Sequence, residues 1–338
     1  MPDKPEPKKK KKIVYTVRLA RSVMDELVEE IKSRKGHPEM PTGIPSLDEL
    51  IWGIHRKEVQ VFAARTSNGK TTMVLQIATH LASQKKNVLF ISLEMTNDQV
   101  MERVLCNYSG ISGWDLRRGI LPSDFDERVS QFRQVVDGLD LFLVDNMGSS
   151  FDQLRSIFTS MEMAKTKPDV IVIDYINLIS PGDDQDDRGA IKEYIRELKE
   201  FAKHYNIAVI VVAQVNREAM KQKDSTPQIH NMKETGALEE VADTVCLLHW
   251  KRDTEDAEAD GEFRVIVGKA RHGPQGVVQL RFNAEHYRFE DVPVPVERNS
   301  NGSEPVRMTG EPLSIGQLSP LSGIEASQPR ETDQEIPF

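Results

Sequence analysis

Ser67, Asn68, Gly69, Lys70, Thr71 and Thr72 follow an apolar run that ends at Ala64, and they open a segment of helical pattern, "TTMVLQIATHLASQ". That is the setting of a phosphate-binding loop. Backbone N–H groups and the helix N-terminus face the phosphates, the Lys70 ammonium neutralises the terminal ones, and the Thr71 hydroxyl is placed on Mg2+. The motif G-x-x-x-x-G-K-[ST] has Ala64 where its opening glycine should stand, so the loop departs from the pattern at one position. Such a loop needs a carboxylate beside the metal. Asp174, at the C-terminal end of the run in "DVIVIDYI", has the Walker B placement for it. Hydrolysis further needs a group that orients or deprotonates water. Glu94, at the tip of "NVLFISLE", is the candidate, and Gln214, ending "AVIVVAQ", is placed to sense a γ-phosphate through its amide. The C-terminal ends of parallel strands share one crevice, so these residues can meet around one ligand.

The elements that must position them follow from periodicity. From Pro41 onward, "EVQVFAA", "NVLFISLE", "LDLFLVD", "DVIVIDYI", "AVIVVAQ" and "TVCLLHW" alternate with helical segments. Runs apolar at every position predict strands covered on both faces, hence a mainly parallel α/β sheet flanked by helices. "FRVIVGKAR" and "VVQLRFN", separated by "HGPQG", predict a C-terminal β-hairpin on the sheet edge. Ahead of the sheet, Ala20, Val23, Leu27 and Ile31 at helical spacing predict one amphipathic helix before Gly36. Its apolar stripe needs a surface, either the chain's own core or a neighbouring subunit.

The expected organisation is therefore a disordered basic arm at 1–15, a helix within 16–36, one ATPase domain over 37–292, and a disordered, acidic-ended tail at 293–338. The 338 residues are 38% hydrophobic and 29% charged, ordinary for a soluble globular protein. No apolar run approaches the ~20 residues that span a bilayer, and no secretory leader is visible, so a cytoplasmic protein without a membrane is expected. Cys106 and Cys246 lie in separate apolar segments, which reads as two buried reduced thiols. A net charge of −9 confines any nucleic-acid contact to a local basic lining.

"TGIPSLDELIWGI", "AARTSNGKTT", "SLEM", "VIDYINLI", "AQVNR", "KETGALEEVAD" and "VGKARHGPQG" occur in that order over about residues 41–291. Together they resemble the motor domain of DnaB-type replicative helicases, a RecA-like fold. That family's phosphate loop commonly begins with alanine, so Ala64 is in keeping with it. The resemblance implies ATP and Mg2+ at Ala64, Ser67 to Thr72 and Asp174, with Glu94 as general base and Gln214 coupling the γ-phosphate to DNA-facing loops. It implies that Lys269 and Arg271 reach the nucleotide of the adjacent subunit, Arg271 as an arginine finger. By the residues alone, such a basic pair entering a Gly/Pro turn reads as a solvated surface feature. The resemblance further implies single-stranded DNA contacts from Arg217, Lys221, Lys223 and the Lys233, Glu234, Thr235, Gly236 loop, a homo-hexameric ring moving 5'-to-3', and the 16–36 helix as a linker docked on a neighbour.

Two features depart from the family pattern. Only the basic arm and the helix precede the motor, where the family has an N-terminal domain that meets primase; this suggests a phage or mobile-element helicase and puts that route to primase in question. The stretch "PGDDQDDRG" at 181–189 is acidic where a channel loop should lie, so no DNA contact is expected there. The chain ends in Ile336, Pro337 and Phe338 behind acidic residues, which resembles the tip of bacterial single-strand-binding proteins. Partners that read such tips, a helicase loader and primase are the expected candidates beyond DNA. The competing classes are a RecA- or RadA-like recombinase and an ATP-switched DNA loader that does not unwind. "SLEM", "VIDYINLI" and the Lys269–Arg271 pair argue against the first, and Glu94, Gln214 and Arg271 together argue against the second.

Overall fold

The computed structural model describes residues 19–33, 36–148, 150–174, 187–214, 240–250 and 262–292. The apolar run at its centre forms strand β1 (Val59–Ala64), with every side chain buried. Alternation explains the unbroken apolarity: Val59, Val61 and Ala63 enter one core, while Phe62 and Ala64 enter another on the opposite face. A strand buried on both sides has no polar face to show.

The chain divides into two units, residues 1–37 and 38–338. The first contains helix α1 (Ala20–Ser33), where the spacing of Val23, Leu27 and Ile31 predicts one. The second runs α2 (Pro45–Ile51), β1, α3 (Lys70–Ser83), β2 (Val88–Ser92), α4 (Asn97–Ser109), α5 (Gly113–Arg117), α6 (Phe125–Val136) and β3 (Leu141–Val144). It continues with α7 (Phe151–Met163), β4 (Val170–Asp174), α8 (Asp187–Tyr205), β5 (Ala208–Gln214), β6 (Thr244–Trp250), β7 (Glu262–Ala270), β8 (Gly276–Asn283) and β9 (Arg288–Asp291). The nine strands form one sheet in the order β3-β2-β4-β5-β1-β6-β7-β8-β9. The six strands from β3 to β6 are parallel, and β7, β8 and β9 continue antiparallel. One core lies under α2, α3, α4 and α6, the other under α7 and α8.

The mainly parallel α/β architecture agrees with the sequence reading, and the C-terminal hairpin does not stop where expected. β8 is not the edge: β9 pairs along it, Phe282 opposite Phe289. Phe289 is the one apolar residue in the four-residue β9, which leaves no alternation to read. The ring nevertheless stacks on Phe282 with centroids 4.3 Å apart, and Gln76 of α3 exchanges two 2.9 Å hydrogen bonds with the Phe289 backbone. Cys106 and Cys246 are buried free thiols. No helix among the described residues is long and apolar enough to cross a membrane. The arm at 1–15 and the tail at 293–338 lie outside the described residues, as do 181–186 of the acidic stretch; Asp187 to Gly189 begin α8.

Candidate nucleotide-binding site

The turn between β1 and α3 is closed by two left-handed residues, Ser67 at φ 64° and Gly69 at φ 71°. Gly69 is required there twice over, since a Cβ would also lie 2.9 Å from Phe289 Cζ. The hairpin that the sequence did not complete is thus the floor of the loop. Lys70 and Thr71 open α3 and are buried. Lys70 Nζ folds back to donate to the Arg65 carbonyl at 3.0 Å. Burial draws its pKa below the usual lysine value, and the charges of Asp174 and Glu94 pull it back up.

Asp174 is fully buried at the end of β4, and among the described residues neither carboxylate oxygen has a hydrogen-bond partner of standard geometry. Burial pushes its pKa up to about 6; Glu94 adds to the rise, while the Thr71 hydroxyl, Lys70 and Arg103 oppose it. A buried acid beside a lysine and a threonine, with carboxylate oxygens unpartnered by standard geometry among the described residues, has the chemistry to hold a cation. No group of three or more His, Cys, Asp or Glu is clustered for a metal among the described residues. A cation here would therefore rest on Asp174, Thr71 and the ligand's own oxygens, and Asp174 fits that part.

Adjacent strands bring the remaining groups. Ser92 is opposite Asp174 and Ala64 opposite Gln214 in the sheet, so the tips of β2, β4, β5 and β1 stand side by side. Leu93 N donates to the Asp174 carbonyl at 2.6 Å, which ties the turn carrying Glu94 to β4. Beyond the turn, Thr96 and Gln99 form a reciprocal cap on α4. Glu94 itself is exposed. Gln214 Nε2 donates to Thr66 Oγ1 at 2.9 Å, so the end of β5 touches the phosphate loop directly. All of Ala64, Ser67, Asn68, Gly69, Lys70, Thr71, Thr72, Glu94, Asp174 and Gln214 thus lie at one end of the sheet.

Lys269 and Arg271 do not join them. Asp243 N donates to the Val59 carbonyl and Arg271 N to the Asp243 carbonyl, both at 2.9 Å, which puts Arg271 beside the start of β1. The loop begins at the other end of that strand, about 17 Å away at ~3.3 Å per residue. The pairing of Lys269 with Val245 and of Val267 with Cys246 makes Gly268 a bulge. Val267 and Cys246 face the α3–α4 core and Val245 the α7–α8 core. The extra residue therefore turns Lys269 out of the first core and onto the second face.

Arg217, Lys221, Lys223, Lys233, Glu234, Thr235 and Gly236 fall in the connection from β5 to β6, and Ile336, Pro337 and Phe338 at the C-terminus; all lie outside the described residues. One cation of the site is not singled out by motif. Arg103 of α4 sits 5.3 Å from the Tyr287 ring centroid and its charge reaches Asp174 and Glu94; its Nε is buried without a partner among the described residues. The available signal is its place on the stripe of Val100, Val104 and Asn107, where an arginine needs a reason.

Residues 39–291 match the family model described as "DnaB-like helicase C terminal domain". The chain is 30% identical over 281 residues to the replicative DNA helicase DnaC of Bacillus subtilis, spanning 79% of this chain and 62% of that protein. A solved DnaB-like replicative helicase, described with its interactions with primase, superposes with a TM-score of 0.73 at 26% identity, over 81% of this chain and 68% of that one. A solved ATPase domain gives the same score and identity, with 98% of that chain covered. The chain spans 54–62% of the length of the first curated relatives it matches.

Proposed function

We propose, from the premise that the chain belongs to the DnaB-like helicase C-terminal domain family, that it is an ATP-driven replicative helicase motor. The observation that carries this reading is the convergence of the phosphate loop, Glu94, Asp174 and Gln214 on adjacent strand tips, with the Asp174 oxygens lacking partners of standard geometry among the described residues. In the proposed reaction, the loop and Lys70 bind the phosphates of ATP. Thr71 and Asp174 would hold Mg2+, which when bound would supply positive charge to the phosphates. Glu94 takes a proton from water as its oxygen attacks the γ-phosphorus, and the bond to ADP breaks.

The reaction also calls for a cation on the transferred phosphoryl group beyond Lys70. Arg271 is at the wrong end of its own sheet to supply it, which favours a site shared with the next subunit of a hexameric ring. In this reading Lys269 and Arg271 serve the neighbour, α1 is a linker docked on that neighbour, and residues 37–292 form the motor between a basic arm and an acidic-ended tail. Gln214, in contact with Thr66, directly precedes the connection assigned to single-stranded DNA through Arg217, Lys221, Lys223 and the Lys233–Gly236 loop. Backbone and lysine contacts of that type are sequence-independent, as translocation 5'-to-3' requires. The proposed setting is the cytoplasm of a bacterial or phage-infected cell. Primase, a helicase loader and readers of the Ile336–Phe338 tip are the proposed protein partners.

The test is ATP turnover by wild type and Arg271→Ala, with and without single-stranded DNA, alongside the size of each assembly. DNA-stimulated turnover by a ring, lost in Arg271→Ala without disassembly, is the expected result. Turnover indifferent to both DNA and Arg271 would make the protein a nucleotide switch.

A further inference from the structure

Asp243 lies between the connection assigned to DNA and the first residue of β6, and its side chain is 2% exposed. A buried carboxylate must be paired, and this one is paired three ways. One oxygen, Oδ2, accepts from Val59 N at 2.9 Å and from Lys199 Nζ. The other, Oδ1, meets Arg271 Nη1 at 3.2 Å. The backbone adds a clamp, with Arg271 N on the Asp243 carbonyl and Asp243 N on the Val59 carbonyl. Lys199 is itself buried, its ammonium also donating to the Lys57 carbonyl at 3.0 Å, and the Glu58 carboxylate, which pairs with His272, shares this cluster. Arg271 differs from Lys199 in that its side chain is half exposed, so only part of it is taken up by the pairing. The contact also restrains one end of a long, flexible side chain at the sheet end away from the chain's own loop.

We propose that Asp243 is the positioning residue for the Arg271 guanidinium, holding it aimed at the neighbouring subunit's nucleotide. The inference rests on reading Arg271 as that neighbour's finger. An arginine restrained by a buried carboxylate loses less conformational freedom on reaching a phosphate than one waving in solvent, so the restraint acts on turnover and not on ATP affinity. Position in the chain links it to DNA as well, because the proposed strand-binding loop ends only a few residues before Asp243.

The experiment compares steady-state ATP hydrolysis by the full chain and by Asp243→Asn, Arg271→Ala and the double variant. Asp243→Asn is expected to lower kcat about fivefold, the effect of weakening one ion pair whose arginine is half exposed, with KM for ATP and assembly size unchanged. The double variant is expected to be no slower than Arg271→Ala alone, since a residue that acts through Arg271 then has nothing left to act on. A double-variant loss equal to the product of the two single losses, or an Asp243→Asn effect on KM alone, overturns the proposal. Arg271→Ala retaining wild-type kcat would instead overturn the finger reading beneath it. Because Asp243→Asn leaves the Lys199 ammonium buried without its counter-charge, Asp243→Asn combined with Lys199→Met provides a charge-balanced version with the same expectations.

Discussion

The two ends of the sheet treat their charges in opposite ways. At the strand tips, Asp174 is buried with oxygens that have no partner of standard geometry among the described residues, and Lys70 is turned back onto its own loop. At the other end, Asp243 is just as buried but takes Lys199, Arg271 and a backbone N–H, so its charge is satisfied within the chain. In the proposed reading the difference separates a site that receives a ligand from a device that presents a side chain: the buried acid of the first end would gain from a bound cation, and the second end would hold a donor for the neighbour.

The largest expected effect breaks the comparison at its second end. Arg271→Ala should cost about a thousandfold in kcat while ATP binding, read by fluorescent-nucleotide titration, is retained. Lys70→Ala should abolish binding itself. Glu94→Gln, at the first end, should cost roughly a hundredfold in kcat with binding intact; a variant that loses binding would mean Glu94 is a ligand-holding group and not the base.

Next in size is the loop floor. Gly69→Ala forces a Cβ against Phe289 at positive φ, and a loss on the order of 1–3 kcal/mol is expected in chemical denaturation, together with weakened ATP binding. The smallest effect sharpens the comparison at Asp174. Its folded pKa lies near 6 against an ordinary 3.8, so the native state holds the proton more tightly than the unfolded chain does. That group favours folding most below its unfolded pKa, and the contribution is lost as pH rises through about 6. In EDTA, Asp174→Asn should therefore melt a few degrees above wild type at pH 7.5, with the gap closing at pH 4. Equal melting at both pH values would show that Asp174 carries no such strain.

What could be read from sequence divides along the same line. The nucleotide end is contiguous chemistry at strand tips: Gly69 to Thr71 are consecutive, and parallel strands bring Glu94, Asp174 and Gln214 together wherever intervening helices lie. Asp243 gives no such signal. It is an ordinary aspartate before a strand until Val59, Lys199 and Arg271, far apart in sequence, arrive around it. β9 is illegible for a related reason: its single apolar residue, Phe289, matters through Gly69 and Gln76, more than two hundred residues away. Arg103 differs again, since a charged side chain on a buried stripe is visible in the pattern but names no partner.

The account's central claim is that one active site is assembled from opposite ends of two subunits. Lys70→Ala and Arg271→Ala proteins, each nearly inactive alone, can be mixed before ring assembly and assayed for DNA-stimulated ATP turnover. Mixed rings place intact Arg271 from one variant beside the intact loop of the other, so activity should return on mixing. Turnover that stays absent in rings proven to be mixed, or that Arg271→Ala retains on its own, would contradict a site shared between subunits.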